Sequence, residues 1–315
     1  MNCADHAIIT PFYNAEAYLP DHVASIAAQT LKPCQWILID DGSTDDSINQ
    51  LETALSRHQK ELAPVTVEII QPPQRGGVSK ARNLGMERVG AQRVTLHDVD
   101  DFYTPNFIAR MQYLSEKYNP DMVILGYTLE PSKEVEPVSE TLSALKSYLA
   151  HLEEDLLSLS NSLEVVTYHD FPLGPGSNVC CKTSFLQQNR YDETTNFFEG
   201  LEFWYRSLKE ALRTGPCLCL LETGDYLHIN MTPNSLSRRR LSYGEASQLP
   251  GILTRLSNSK DCYDQRIFNL VLARWFPNVF NRIKSNAHRA LFLLRNQTLF
   301  WRFLFLRIRQ LLETK

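Results

Sequence analysis

The sequence has no run of about 18 or more uncharged apolar residues, so no segment reads as a membrane span. It lacks a basic N-terminal region followed by an apolar core, and the opening MNCADHAIIT reads as a short strand, not as a signal peptide. Its 7 cysteines are odd in number. Neither Cys180-Cys181 nor Cys217-x-Cys219 has zinc-finger or disulfide-framework spacing, which fits a reducing compartment. There is no internal repeat and no low-complexity segment. What remains is ordinary globular composition, 43 % apolar and 22 % charged, in 315 residues. That length buries a full core without staples and fits one large domain or two modest ones.

The net charge of -4 is unevenly spread. Residues 251–315 hold 12 Lys or Arg against 3 Asp or Glu, so the rest of the chain is acidic. An acidic body with no recognition motif argues against nucleic acid as a partner. A basic, aromatic-rich tail is expected to meet something negative or to pack on the acidic body.

Over the first 130 residues, strand-like and helix-like patterns alternate. Strands are expected at 7–10, 35–39, 65–70, 93–97 and 121–127, with helices at 15–29, from Ser43 or Thr44 to Arg57, from Ser79 to Val89, and from Pro105 to Tyr118. Strands separated by helices of this length predict an α/β fold, a mostly parallel central sheet flanked by helices. Later, Leu142, Leu145, Tyr148, Leu149 and Leu152 fall at helical spacing and predict an insertion helix. FPLGPGSN (171–178) reads as a loop, 199–212 as a strong helix, 217–221 and 226–229 as short strands, and 233–240 as an arginine-rich loop. Two acidic clusters, Asp40-Asp41 and Asp98-Val99-Asp100-Asp101, then fall at the carboxyl ends of two strands, where ligands bind in open α/β sheets. Carboxylates crowded there call for a cation. A single cluster is as readily an Asx turn or a helix cap; two at equivalent strand ends are not so easily dismissed.

Five segments in order, ITPFYNAE (9–16), SIAAQT (25–30), IDDGSTDDS (39–47), GVSKARNLG (77–85) and DVDD (98–101), make the chain resemble a family 2 glycosyltransferase over about 100 residues. The resemblance implies an inverting enzyme of the nucleotide-diphospho-sugar transferase fold, A type, of the kind that builds bacterial cell-surface glycans. It divides the chain into a glycosyltransferase domain, 1–240, and a basic amphipathic helical region, 241–315. Within the domain, 1–128 is the nucleotide-binding half and 129–240 the acceptor half.

The resemblance implies a nucleotide-sugar donor, a UDP-sugar, and a glycan or lipid-linked glycan acceptor. Asp41, with Asp40 supporting the turn, would accept from the imide of the base. Pro11, Tyr13 and Glu16 would wall base and ribose. Arg82 would reach base or phosphates with its fork of donors, unless it is instead salt-bridged to Asp40 or Asp41. Asp98, Val99 and Asp100 form the DxD motif, whose carboxylates suit Mn2+ or Mg2+. His97 reads as packed beneath the motif and Asp101 as a loop brace. His228, in YLHIN (226–230), would approach the metal or the diphosphate, or is a plain strand histidine. Arg238, Arg239 and Arg240 would close over the diphosphate or are simply solvated.

The resemblance departs at the base. In FEGLEFWYR (198–206) Gly200 stands where the family carries its aspartate. Glu199 is then the first candidate for general base, Glu202 one helical turn on the second, and Asp192 or Glu193 the third. A catalytically silent nucleotide-binding scaffold is the alternative that Gly200 raises. A sugar nucleotidyltransferase is another, although the Thr10-Pro11-Phe12-Tyr13-Asn14 start is not glycine-rich as that class requires. In the tail, arginines recur at seven-residue spacing at 282 and 289 and again at 295, 302 and 309, a basic stripe on an otherwise apolar helix. It is expected to lie on an anionic membrane surface, placing the protein on the cytoplasmic face of the inner membrane, or to pack on the body or on a twin subunit in a homodimer.

Overall fold

The computed structural model of the chain describes residues 3–168, 171, 173, 177–186, 189–195, 197–231 and 240–313. Much of the FPLGPGSN loop and the 232–239 part of the arginine-rich loop, with Arg238 and Arg239, lie outside the described residues.

The first elements alternate as their periodicities require: β1 (Cys3–Phe12), α1 (Leu19–Ala27), β2 (Lys32–Asp40), α2 (Ser47–Arg57), β3 (Thr66–Ile70), α3 (Val78–Met86) and β4 (Arg93–Leu96). Then come β5 (Phe102–Tyr103), α4 (Phe107–Tyr118), β6 (Met122–Leu125), β7 (Tyr127–Glu130), β8 (Glu134–Glu136), α5 (Ser139–Leu145), β9 (Leu149–His151) and β10 (Leu156–Leu159). They are followed by α6 (Ser162–Val166), β11 (Val179–Lys182), α7 (Thr183–Leu186), α8 (Glu199–Thr214), β12 (Cys219–Glu222) and β13 (Leu227–Asn230). The last part is helical: α9 (Tyr243–Ala246), α10 (Gly251–Arg255), α11 (Cys262–Arg282), α12 (Asn286–Arg295) and α13 (Gln297–Glu313).

The main sheet has nine strands in the order β3-β2-β1-β4-β11-β6-β12-β10-β9. The β3-β2-β1-β4 half is parallel throughout. Beyond it the sheet is mixed, because β11 runs antiparallel between β4 and β6 and β10 antiparallel to β12. A second sheet, β5-β13-β7-β8, stands beside it.

Side chains of the central strands alternate between two cores, as the two-residue period of a strand dictates. Ile9, Ile37, Ile39, Leu96 and Ile124 face one, with Ala81, Trp204, Phe268 and Trp275 from α3, α8 and α11. Ile8, Leu38, Val123 and Leu125 face the other, with Val23, Leu51 and Phe107 from α1, α2 and α4. Phe292 of α12 belongs to the first core as well, so the expected boundary at residue 240 does not separate two cores.

Two expectations change. The 121–127 strand is broken at Gly126, whose N–H bonds Glu222 O at 2.7 Å and whose position leaves a Cβ only 2.9 Å from Glu136 O. β6 and β7 therefore join different sheets. The expected helix over 142–152 is only the short α5; Leu149 to Leu159 turn back as the β9-β10 hairpin on the sheet edge. Glu153 at the hairpin turn explains why: its carboxylate is held by Arg110 at 2.7 Å, Lys117 at 2.9 Å and the Tyr118 hydroxyl at 2.9 Å, all from α4. Sheet pairing with that anchor outcompetes the leucine period.

α3 lies close on the sheet because Gly85 faces it. A Cβ there would stand 2.4 Å from Ile9 Cγ2 and 3.0 Å from Ile39 Cδ1. Gly85→Ala is therefore expected to lower unfolding stability by about 1–3 kcal/mol in denaturant titration; unchanged stability would mean that α3 is not seated at this distance.

Candidate active site

The ends of β2 and β1 carry the first part of the site. Asp40 and Asp41 are both buried. Asp40 accepts from Ser43 N at 2.8 Å and from Gln71 Nε2 at 3.2 Å. Asp41 accepts from the backbone N–H groups of Gly76 and Gly77 at 2.7 and 2.8 Å, one to each oxygen. Asp41 thus ties the end of β2 to the turn that opens α3, where Gly77 takes φ of 85°. A carboxylate has about four acceptor positions, so this tie leaves Asp41 capacity for a ligand.

Of the three residues expected to wall the base, Tyr13 is exposed, with the Arg75 guanidinium over its ring at 3.6 Å. Pro11 is buried in β1 opposite Ile39. Glu16 accepts from Asp46 N at 2.9 Å and braces the start of α2. Sequence reasoning missed Arg75; its place directly before Gly76-Gly77 was the available signal.

The second part is built on Arg82. This side chain of α3 is almost wholly buried, and its Nη2 donates to Asp98 at 2.8 Å while Nη1 donates to Glu199 at 3.2 Å. Its guanidinium also lies over the Tyr191 ring at 5.2 Å. Its carboxylate partners are thus Asp98 and Glu199, not Asp40 or Asp41, the alternative partners weighed from the sequence. Burial alone would lower its pKa; the charge of Asp98, with that of Glu199, more than offsets this and raises it above the ordinary arginine value. One guanidinium therefore brings together the end of β4 and the first turn of α8, which are 101 residues apart in sequence.

The loop after β4 is fixed from three sides. Asp98 N donates to Ser177 Oγ at 2.9 Å, Ser177 Oγ donates to Asp101 at 2.6 Å, and Asn230 N donates to the other Asp101 oxygen at 3.2 Å. Asp101 is the brace expected of it, with burial first and then the charges of Asp98 and Asp100 pushing its carboxyl well above the usual range. His97 lies beneath as a packed residue, its Nε2 3.1 Å from Asp101 O and its ring 4.4 Å from that of His22 and 4.0 Å from that of Tyr103. Burial keeps both histidines neutral, with His22 lowered to about 4 and His97 well below its ordinary value.

Val99 is half-buried against the second core, between Asp98 and Asp100. The Asp100 carboxyl is raised to about 6 by burial and then by the charge of Asp98, and among the described residues no cationic side chain pairs with it. A half-buried carboxylate without a counter-charge, beside a second carboxylate, is a fitting donor set for a hard divalent cation. Among the described residues no three or more His, Cys, Asp or Glu side chains are already gathered around such a position.

The remaining candidates point elsewhere. Glu202 is buried against Arg206, at 3.3 Å, and Arg255. It lines a cavity of about 720 Å3 behind α8, together with Tyr205, Lys209 and Asp264 and without Asp98 or Glu199. Asp192 binds Arg255 at 2.8 Å, and Glu193 accepts from Asn83 at 2.8 Å in the tie between α3 and the 190–193 segment. His228 has Nδ1 on Glu130 at 2.8 Å and Nε2 on Asp225 at 2.9 Å, so neither nitrogen is directed at Asp98 or Asp100.

The chain is similar to known proteins in sequence and in fold. An uncharacterized glycosyltransferase of Haemophilus influenzae is 36 % identical over 102 residues, 32 % of this chain and 38 % of that protein. TuaG of Bacillus subtilis, named for teichuronic acid biosynthesis, is 28 % identical over 123 residues, 39 % of this chain and 46 % of that protein. The chain thus spans less than half the length of either relative. Staphylococcus aureus TarS, residues 1–349 in complex with UDP-GlcNAc, superposes with a TM-score of 0.55 at 16 % identity, covering 95 % of this chain and 73 % of that one, which is a likeness of fold. Residues 7–166 match the profile of Glycosyl transferase family 2, a stretch that is about half of the chain and contains every strand-end carboxylate described above; the chain belongs to that family.

Proposed function

We propose that the protein is an inverting glycosyltransferase that moves a sugar from a UDP-sugar to a hydroxyl of a cell-surface glycan or its lipid-linked precursor, with Mn2+ or Mg2+, at the cytoplasmic face of the membrane. The observation that carries this reading is the Arg82 bridge, which sets a candidate base, Glu199, beside the acidic end of β4. The UDP-GlcNAc in the TarS complex supports the donor class, and the name of TuaG supports a cell-envelope acceptor.

In this reading Tyr13 and Arg75 take the base, and Asp41 contributes an acceptor while holding the Gly76-Gly77 turn. Asp100, with Asp98, holds the divalent ion; when bound, that ion supplies charge neutralisation for the departing diphosphate. The acceptor oxygen bonds to the anomeric carbon from the face opposite the diphosphate. Its proton passes to the Glu199 carboxylate, and the electron pair of the broken carbon–oxygen bond leaves with the nucleoside diphosphate. Arg82 touches none of the reacting atoms; it positions Glu199. Gly200, buried in the first turn of α8, carries no carboxylate, and of the two acids in that turn, Glu199 and Glu202, Glu199 is the one that Arg82 holds beside Asp98. His228 and Glu202 have no part in the chemistry.

Glu199→Gln keeps shape and an acceptor for Arg82 but cannot take a proton. It is expected to bind UDP normally and to lose roughly 10²–10⁴ in turnover; turnover near wild type would remove Glu199 from the role. Glu202→Gln is expected to alter stability more than turnover, and the reverse would move the base one turn along α8. Asp100→Ala is expected to unfold as wild type does, to lose at least about tenfold in transfer, and to bind UDP equally with and without Mn2+ in calorimetry. Full wild-type activity in chelator would contradict the ion assignment.

A further inference from the structure

The tail is organised differently from a basic stripe on one continuous helix. Of the five arginines at seven-residue spacing, three are turned inward. Arg282 is buried and donates to Asn278 Oδ1 at 2.8 Å. Arg289 donates to Ile283 O at 3.1 Å and lies over the Phe280 ring. Arg302 donates to Asn269 Oδ1 and Gln265 Oε1 of α11 and lies 3.9 Å over the Phe268 ring. The chain also breaks between α11, α12 and α13, which resets the helical phase. On α13, Phe300 and Phe303 face the body and meet Phe276 of α11 at 5.8 and 5.1 Å.

The opposite side of α13 is apolar and open. Trp301 is 63 % exposed, Phe305 65 %, Ile308 49 % and Leu312 69 %. These positions follow one another by four, three and four residues, which is one stripe along a helix. Leu311 beside it and Leu294 on α12 are exposed as well. Arg307 and Arg309 lie about 100° to either side of Ile308, and both are exposed, as are Lys284 and Arg295. From Gln265 to Leu312 there are nine Lys or Arg and no Asp or Glu.

We infer that the outer face of α13 is a membrane-docking surface. The helix lies in the plane of an anionic bilayer surface, with Trp301, Phe305, Ile308 and Leu312 entering the headgroup–acyl boundary and the flanking arginines meeting the lipid phosphates. No described helix is long and apolar enough to cross a membrane, so contact is in-plane. The charge of the region, nine Lys or Arg against no Asp or Glu from Gln265 to Leu312, matches an anionic surface better than a second copy of the same basic face. The inference extends the proposed reading of a membrane-linked acceptor, but binding to lipid does not depend on transfer.

The fold supplies a direct reporter. Trp36, Trp204 and Trp275 are fully buried, and Trp301 is the exposed tryptophan. Adding phosphatidylcholine vesicles containing phosphatidylglycerol to the full chain is expected to shift tryptophan emission to the blue and carry the protein into the vesicle pellet; pure phosphatidylcholine is expected to bind less, and salt to weaken binding in part. Trp301→Phe should abolish the shift while binding persists. Trp301→Ser with Phe305→Ser should lower partitioning about 100-fold while circular dichroism and UDP binding stay as in wild type. Absence of wild-type binding, binding unchanged in the double variant, or a wild-type dimer that the double variant makes monomeric would each overturn the inference. UDP binding, read on the same samples, reports on the proposed enzyme function separately: vesicle binding lost with UDP binding intact rejects the docking surface alone.

Discussion

The site depends on one buried cation. Arg82 is removed from water and is compensated by two carboxylates from distant parts of the chain, Asp98 and Glu199. Taking away Arg82 leaves two carboxylates without their counter-charge, and breaking a buried pair in this way costs about 3–5 kcal/mol in other proteins. Stability therefore demands that the end of β4 and the start of α8 stay together, and the same demand places a proton acceptor beside an acidic, ion-suited strand end. Arg82 can do this because α3 lies close on the sheet, and α3 lies close because position 85 has no side chain.

A second constraint is the fixing of the acidic loop from beneath. Asp101 is buried and raised in pKa, yet both of its oxygens are used, by Ser177 and by the backbone of Asn230. These partners come from the segments before and after β11, α8 and β12, so the acceptor half of the chain buttresses the loop that the nucleotide-binding half supplies. The neutral His22–His97 pair fills the space under it without adding charge. Asp98 and Asp100 remain the carboxylates at the surface of this platform, and Asp100 is the one left without a cation among the described residues.

Much of this was legible in the residues. The alternation of strand and helix periods over the first 130 residues, and carboxylates at the ends of β2 and β4, followed from local pattern alone because β1, β2 and β4 are largely buried on both faces and each helix between them on one. The partners were not legible. Arg82 sits next to nothing acidic in sequence, and its choice of Asp98 and Glu199 over Asp40 and Asp41 follows from α3's register on the sheet. Asp41's carboxylate turned out to hold the Gly76 and Gly77 N–H groups, a tie invisible in composition. β11 follows directly on the 171–178 loop and was not assigned from the sequence, although its Val179-Cys180-Cys181 run was a signal. The arginines at seven-residue spacing suggested one amphipathic stripe, but two helix breaks and the acceptors on α11 turned three of them inward.

The central claim is that Arg82 gathers base and ion-binding carboxylates into a single transfer site. A crystal structure with an intact UDP-sugar analogue and Mn2+ tests it most directly. The account predicts the uracil by Tyr13 and Arg75, the diphosphate over Asp98 and Asp100, and the anomeric carbon facing Glu199 with the Arg82 bridge intact beneath. A sugar directed into the cavity behind α8 at Glu202, or an ion held away from Asp100, would contradict it.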